Sequence, residues 1–386
     1  MGYPRDAVGG PSWTGPRAGP ERLTMKLTWN AVLAWRMRRQ FLDRNNPQTA
    51  ETIVRRLCGI QSQVKSYAEL AVAVRSPSAS KDAVESAVAS KKLMRTWAMR
   101  GTLHTLSPQD APAYLSLLAS ARTWEKGSWQ RAFLNSAQMA KLEEAVQAEL
   151  DGATLSRDDL VAAVEKRTGD AEISAAVRSG WSAVLKPLAW QGYLCNGDSG
   201  DDSRVTFTSP GTYLSGWKGL PDADEAARIA IPAYLSAYGP AEPEAFNRWM
   251  ARGALKKAAV RAWFADLGEL LTEVDVEGAK LWVRTEDVDD LTSSKPTDMV
   301  RLLPGFDQYV LGPGTDDTHI IPAQHRKDVS KTAGWIAPVV VDAGKVVGVW
   351  DSDDGSVSVS LFSDAPKPAD KALKAEISHL NTLLNP

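Results

Sequence analysis

Gln61 and Gln63, with Ser62 between them, are the side chains best placed to do chemistry in this chain. An amide donates and accepts hydrogen bonds without carrying charge. The pair can therefore satisfy backbone groups at a helix end or hold a polar ligand. The preceding residues predict a helix over about 47–58. Pro47 suits a first turn, Asn46 a cap, and Ile53, Val54, Leu57 and Cys58 recur at helical spacing. Gly59 is placed to stop that helix. The glutamines then fall at the helix end or on the next loop, where binding groups concentrate.

Other chemistries lack their residues. The chain has no phosphate-cradling GxxxxGKS/T, no GxSxG elbow and no HExxH. Of the four histidines, His104, His319, His325 and His379, only His319 and His325 are even loosely spaced for a metal. With no Cys or acidic partner motif they read as surface residues, and no cofactor or metal is expected. Cys58 and Cys195 are too few and too far apart for a disulfide framework or zinc site, which predicts a reduced, cytoplasmic protein. No apolar run approaches a membrane span and no secretory segment stands near the start.

The 386 residues suffice for two to four domains, and 44% hydrophobic with 24% charged is ordinary for a globular protein. The net charge of −2 conceals an asymmetry. Residues 1–100 carry 17 Lys and Arg against 7 Asp and Glu, the remainder 28 against 40. Basic charge gathered at one end suits a polyanion partner, or else a solvated helix face.

Residues 1–24 are rich in Pro and Gly and read as a disordered extension, with structure beginning at Met25. Trp29, Leu33, Met37 and Phe41 then form one helical stripe, with Arg36, Arg38 and Arg39 mostly beside it. After the 47–58 helix and the glutamines come an apolar helical run to Arg75, a helix over 81–91, and an extended stretch over 93–106 with Gly101 as its turn. Three helices and a hairpin are the order of a winged helix. The order recurs with helices over 137–150, 157–167 and 174–191 before a strand at 204–209. It recurs again with helices over 223–238, 241–251 and 254–265 before a hairpin about Glu277-Gly278. Strand-like segments joined by Gly and Asp turns follow from 299, with a final helix over 369–384. The predicted fold is α+β, mainly α: an extension over 1–24, winged-helix units over 25–135, 136–215 and 216–298, and a β-rich domain over 299–386.

The segments AWRMRRQFL, RRLCGIQSQV, AELAVAVR, RTWAMRGTLH, LLPGFDQYVLGP and VSKTAGWIAPVVV resemble the winged-helix DNA glycosylases of the AlkZ and YcaQ kind, from about residue 27 to the end. The resemblance implies three winged helices closed into a concave, DNA-binding monomer, and excision of N-alkylated purines. Those are N7-alkylguanine above all, bulky adducts and interstrand crosslinks among them. The family's signature is Gln–hydrophobic–Gln in AlkZ-like members and ends in Asp in YcaQ-like ones. Gln61 and Gln63 match the former, with Ser62 departing from the aliphatic middle position.

The implied roles are physically sensible. An N7-alkylguanine is already cationic and leaves without a strong general acid. The protein must hold a water and support the oxocarbenium-like sugar. Gln63 would position the water and Gln61 orient water and backbone. The alternative is that both amides cap the helix end. The implied partner is double-stranded DNA carrying alkylated bases. Phosphate contacts are expected among Arg36, Arg38, Arg39, Arg55, Arg56, Lys65, Arg95 and Arg100, about half of them functional, with Arg252, Lys256, Lys257 and Arg261 added from the third unit. His104 either faces DNA or is structural, and Asp307 reads as a turn or buried hydrogen-bonding residue. A non-catalytic winged-helix regulator is the competing reading.

Overall fold

The computed structural model describes residues 26–76, 80–179, 183–198 and 204–385. The expected N-terminal extension, part of the 174–191 helix and residues 199–203 ahead of the 204–209 strand lie outside the described residues. Among the described residues no helix is long and apolar enough to cross a membrane.

The described chain opens with β1 (Lys26–Leu27) and α1 (Trp29–Arg39). The first element series is α2 (Ala50–Arg56), β2 (Ile60–Gln61), α3 (Lys65–Ala73), α4 (Ala83–Ala89), β3 (Met94–Trp97) and β4 (Leu103–Leu106). Through α5 (Ala111–Ser120) and α6 (Gly127–Ala132) it reaches the second: α7 (Ser136–Leu150), β5 (Thr154–Ser156), α8 (Arg157–Thr168), α9 (Ala171–Arg178), α10 (Leu185–Trp190), β6 (Cys195–Asn196) and β7 (Thr206–Thr208). After α11 (Pro210–Tyr213) comes the third: α12 (Ala223–Tyr238), α13 (Pro243–Ala251), α14 (Lys257–Asp266), β8 (Leu271–Val276) and β9 (Ala279–Arg284). The last part holds α15 (Val288–Thr292), β10 (Val300–Leu303), α16 (Gln308–Leu311), α17 (Arg326–Val329), β11 (Val339–Asp342), β12 (Lys345–Asp353), β13 (Ser356–Leu361) and α18 (Asp370–Leu384).

Sheet order repeats with the element order. The first two sheets run β2-β4-β3 and β5-β7-β6, the strand before the second helix lying against the last strand of the series. In the third series Ala241 takes that place as a single bridge to Trp282, and β1 adds in parallel to the far edge of β8. The final sheet is four-stranded and antiparallel, β10-β11-β12-β13. The result is a mixed α/β fold, about half helical, with small sheets.

Local chemistry sets most boundaries, and where it was misjudged the elements differ. The 47–58 helix starts at Ala50, because the Thr49 side chain accepts from Thr52 N–H and takes the cap expected of Asn46. It ends at Arg56 because Cys58 and Gly59 both turn left-handed, at φ 54° and 102°. The 174–191 helix is two, α9 and α10. The 254–265 helix starts at Lys257.

Packing explains the role of α1. Leu33 and Met37 enter the core of the C-terminal sheet, while Val32 and Trp35 enter that of the β1-β8-β9 sheet. The helix is buried on opposite sides rather than along one stripe, and Phe41 lies beyond its end. The first sheet is likewise covered twice. Its own helices pack Ile53, Leu57, Val72 and Val84 under it. Cys58, Met94, Met99 and Leu106 join Tyr114, Tyr234, Tyr238 and Trp249 of α5, α12 and α13.

Candidate active site

Gly59 sets the path into the site. Its φ of 102° suits only glycine, and a Cβ there would run into Leu106 and approach Met99 and the Thr105 carbonyl at 3.2 Å. The chain emerges as β2, antiparallel to β4, with Gln61 opposite His104. Ser62 is locked in place. Its N–H donates to Leu103 O at 2.8 Å, and its hydroxyl lies 2.7 Å from Thr105 Oγ1. The buried hydroxyl in the middle of the signature is thus satisfied, as burial demands.

Gln61 and Gln63 point away from that anchor. Gln61 is buried and its Nε2 donates to Gln63 Oε1 at 2.7 Å, while Gln63 is exposed. Neither amide caps a helix. The helix they follow, α2, closes at its C-cap Leu57 through backbone bonds to Ile53 O and Arg55 O, and the next helix, α3, has Val64 at its N-cap with no side-chain cap bond. The helix-capping alternative is therefore not what the glutamines do. Gln61 holds Gln63, whose NH2 and remaining oxygen lone pair are left for a ligand.

His104 sits behind Gln61 with no exposed surface, so it does not reach DNA. Its Nδ1 lies 2.9 Å from Thr102 O, and its buried Nε2 has no partner. Burial and then the Arg100 guanidinium hold its pKa down at about 3, so the ring is neutral. Sequence reading missed its placement beside Gln61, because cross-strand register is invisible in a single strand.

The predicted cations separate into two groups. Arg36 is 3% exposed. It donates to Gly239 O and Pro240 O, both at 3.1 Å, and pairs with Asp317 at 3.3 Å. Arg39 donates to Ser236 O at 3.1 Å and pairs with Asp287 at 3.3 Å. Arg56 donates to Ser236 Oγ at 2.6 Å, and burial with Arg39 nearby lowers its pKa to about 10. Arg95 is held by Glu85. The Arg100 guanidinium is enclosed, donates to Trp249 O at 3.3 Å and is lowered by burial to about 10. These five are tied inside the protein and leave the phosphate-binding set, because α1 and the first sheet are covered on both sides.

The rest stand nearer solvent. Arg38 is partly exposed and donates to Ser294 Oγ at 2.7 Å. Arg55 and Lys65 have side chains about 60% exposed, with Asp110 at 3.1 Å and Glu85 at 3.7 Å. Lys256, Lys257 and Arg252 are exposed at the start of α14 and before it, whereas Arg261 pairs with Glu244 at 2.5 Å. Asp307 accepts both terminal nitrogens of the buried Arg75 at 2.7 Å, joining α3 to the C-terminal sheet. Among the described residues no cluster of His, Cys, Asp and Glu could hold a metal. Cys58 and Cys195 are buried and free.

The family model for DNA glycosylase AlkZ-like proteins matches residues 54–383. An interstrand DNA cross-link repair glycosylase of Streptomyces sahachiroi is 46% identical over 358 residues, 92% of this chain and 96% of that protein. The solved structure of Streptomyces sahachiroi DNA glycosylase AlkZ superposes with a TM-score of 0.89 over 94% of this chain and 98% of that one. A match of this length, with the paired glutamines inside it, means that the chain belongs to the AlkZ-like family of DNA glycosylases.

Proposed function

We propose that this protein is a monofunctional glycosylase that excises N7-alkylated purines from duplex DNA, with bulky adducts and interstrand crosslinks within its range. The observation that carries the reading is the Gln61–Gln63 hydrogen bond of 2.7 Å, which holds an exposed amide that has no structural duty. The cationic base departs with its bonding electrons and becomes neutral, and a water adds at C1′ as the sugar gains oxocarbenium character, its surplus proton passing to bulk water. Gln63 Oε1 accepts from that water and directs its dipole toward the developing charge. Gln61 fixes the rotamer of Gln63, so the geometry is set before the substrate arrives.

The three element series are read as winged-helix units over 25–135, 136–215 and 216–298, followed by a β domain over 299–386. The helix–strand–helix–helix–strand–strand order and its repeated sheet order support this. A concave monomer would meet DNA through Arg38, Arg55, Lys65, Arg252, Lys256 and Lys257, predicted cations that are left near solvent. The crosslink range is taken from the relative's name. A duplex carrying one N7-methylguanine tests the reading: wild type should leave free base and an alkali-labile abasic site, and Gln63→Ala neither. Release by Gln63→Ala at the wild-type rate would sink the assignment.

A further inference from the structure

Five large apolar side chains are exposed among the described residues, and Trp335, at 42%, is the one whose ring meets the glutamine-bearing segment. Its centroid lies 6.1 Å from Tyr67, on the first turn of α3 and four residues beyond Gln63, and 5.1 Å from Phe306 in an edge-on contact. Tyr67 and Phe306 are themselves 6.3 Å apart, so the three rings form one platform.

The platform is built to be rigid. Lys331 N–H donates to Trp335 O at 2.8 Å, Trp335 N–H to Thr332 O at 3.3 Å, and Ser330 bridges to Ile336. Ala333 and Gly334 take φ of 56° and 77°, which turns the loop back so that Lys331 to Trp335 all stand in solvent. Gly305 permits the approach. A Cβ there would lie 2.6 Å from the Tyr67 ring and 2.8 Å from the Ile336 carbonyl. Left-handed alanine is costly, and nothing in the core needs this ring exposed.

Charge argues for what the platform meets. The Asp351 carboxylate stands near enough to Tyr67 to add to the effect of burial in pushing its hydroxyl up. A carboxylate there repels a phosphate but not a base. An exposed aromatic face whose supporting Tyr67 has a carboxylate nearby suits a cationic ring.

We propose that Trp335, seated on Tyr67 and Phe306, is a specificity-determining residue that stacks on the face of the alkylated purine during excision. This rests on the glycosylase reading above. Tyr67 and Phe306 act through Trp335 and are positioning residues.

The test is single-turnover release of base from an N7-methylguanine duplex by Trp335→Phe, Trp335→Leu and Trp335→Ala. Affinity for unmodified duplex is measured on the same proteins. Base–aromatic stacking predicts on the order of a tenfold or greater loss of release for Ala and Leu, and retention within about threefold for Phe. Affinity for unmodified duplex stays unchanged. Leu keeps apolar cover over Phe306, so it reports on stacking even where Ala fails to fold. Equal loss in all three variants would overturn the proposal in favour of packing, as would release by Leu at the wild-type rate. An equal loss of affinity for unmodified duplex would overturn it in favour of a general DNA contact. No release by wild type would instead overturn the glycosylase reading itself.

Discussion

The junction after β2 and the junction after β5 occupy the same place in two series of elements, yet they use polar side chains differently. After β5, Ser156 caps α8. Its hydroxyl accepts from Asp159 N–H at 3.2 Å, and Asp158 and Asp159 fill the first turn, as the positive helix end favours. After β2, the polar residues Gln61 and Gln63 bind each other, α3 begins without a side-chain cap, and Lys65 stands in its first turn. The strands differ behind these residues too: Leu155 lies opposite Phe207, whereas Gln61 lies opposite a buried neutral His104. One junction stabilises its helix. The other leaves its helix start without a side-chain cap and Gln63 exposed, a pattern expected where function competes with local stability.

Substitutions at the two junctions should separate activity from stability. Gln63→Ala should lose roughly hundredfold or more in base release, the scale of removing a group that acts only in the transition state, and shift stability by under about 0.5 kcal/mol because the residue is exposed. Kinetics beside a urea titration measures both. A similar activity loss from Ser156→Ala would erase the contrast.

Next in size is the buried scaffold that the contrast depends on. Arg36→Met leaves Asp317 and two backbone carbonyls without their donor, and should cost about 3–5 kcal/mol with no change in the salt dependence of DNA binding. Ser156→Ala should cost about 1 kcal/mol in the same titration, with excision intact.

His104 gives the pH arm of the comparison. Its folded pKa of about 3 lies below the ordinary 6.5, so the unfolded chain binds the extra proton. Its share of stability is therefore present above about pH 6.5 and lost as pH falls toward 3. Melting curves of His104→Gln across that window should fall less steeply than wild type. Equal slopes would show that the ring behind Gln61 is not held neutral. The smallest effect is that of the surface lysines. Lys256→Ala or Lys257→Ala should each reduce the slope of log K against log salt by about 0.9 if it contacts a phosphate.

Much of the fold was legible. Periodicity located α7, α8, α12 and α18 to within a residue or two, and Glu277-Gly278 forms the turn between β8 and β9. These signals arise between neighbours along the chain, so the sequence holds them whole. The Gln61–Gln63 pair stood out for the same reason, two like side chains at a spacing of two beside a helix-stopping glycine. What lay beyond reach were the facts set by distant partners. Arg36 reads as a surface cation beside an apolar stripe. It is buried because α1 threads between two sheets and because residues 239, 240 and 317 come to meet it. The register that sets His104 against Gln61, and the fold that brings Trp335 to Tyr67, join positions tens to hundreds of residues apart. Sequence by itself determined the elements and named the two amides. Tertiary packing decided which cations stay in solvent, which ring meets Tyr67 and that the two amides bind each other, because burial and facing partners are properties of the closed molecule.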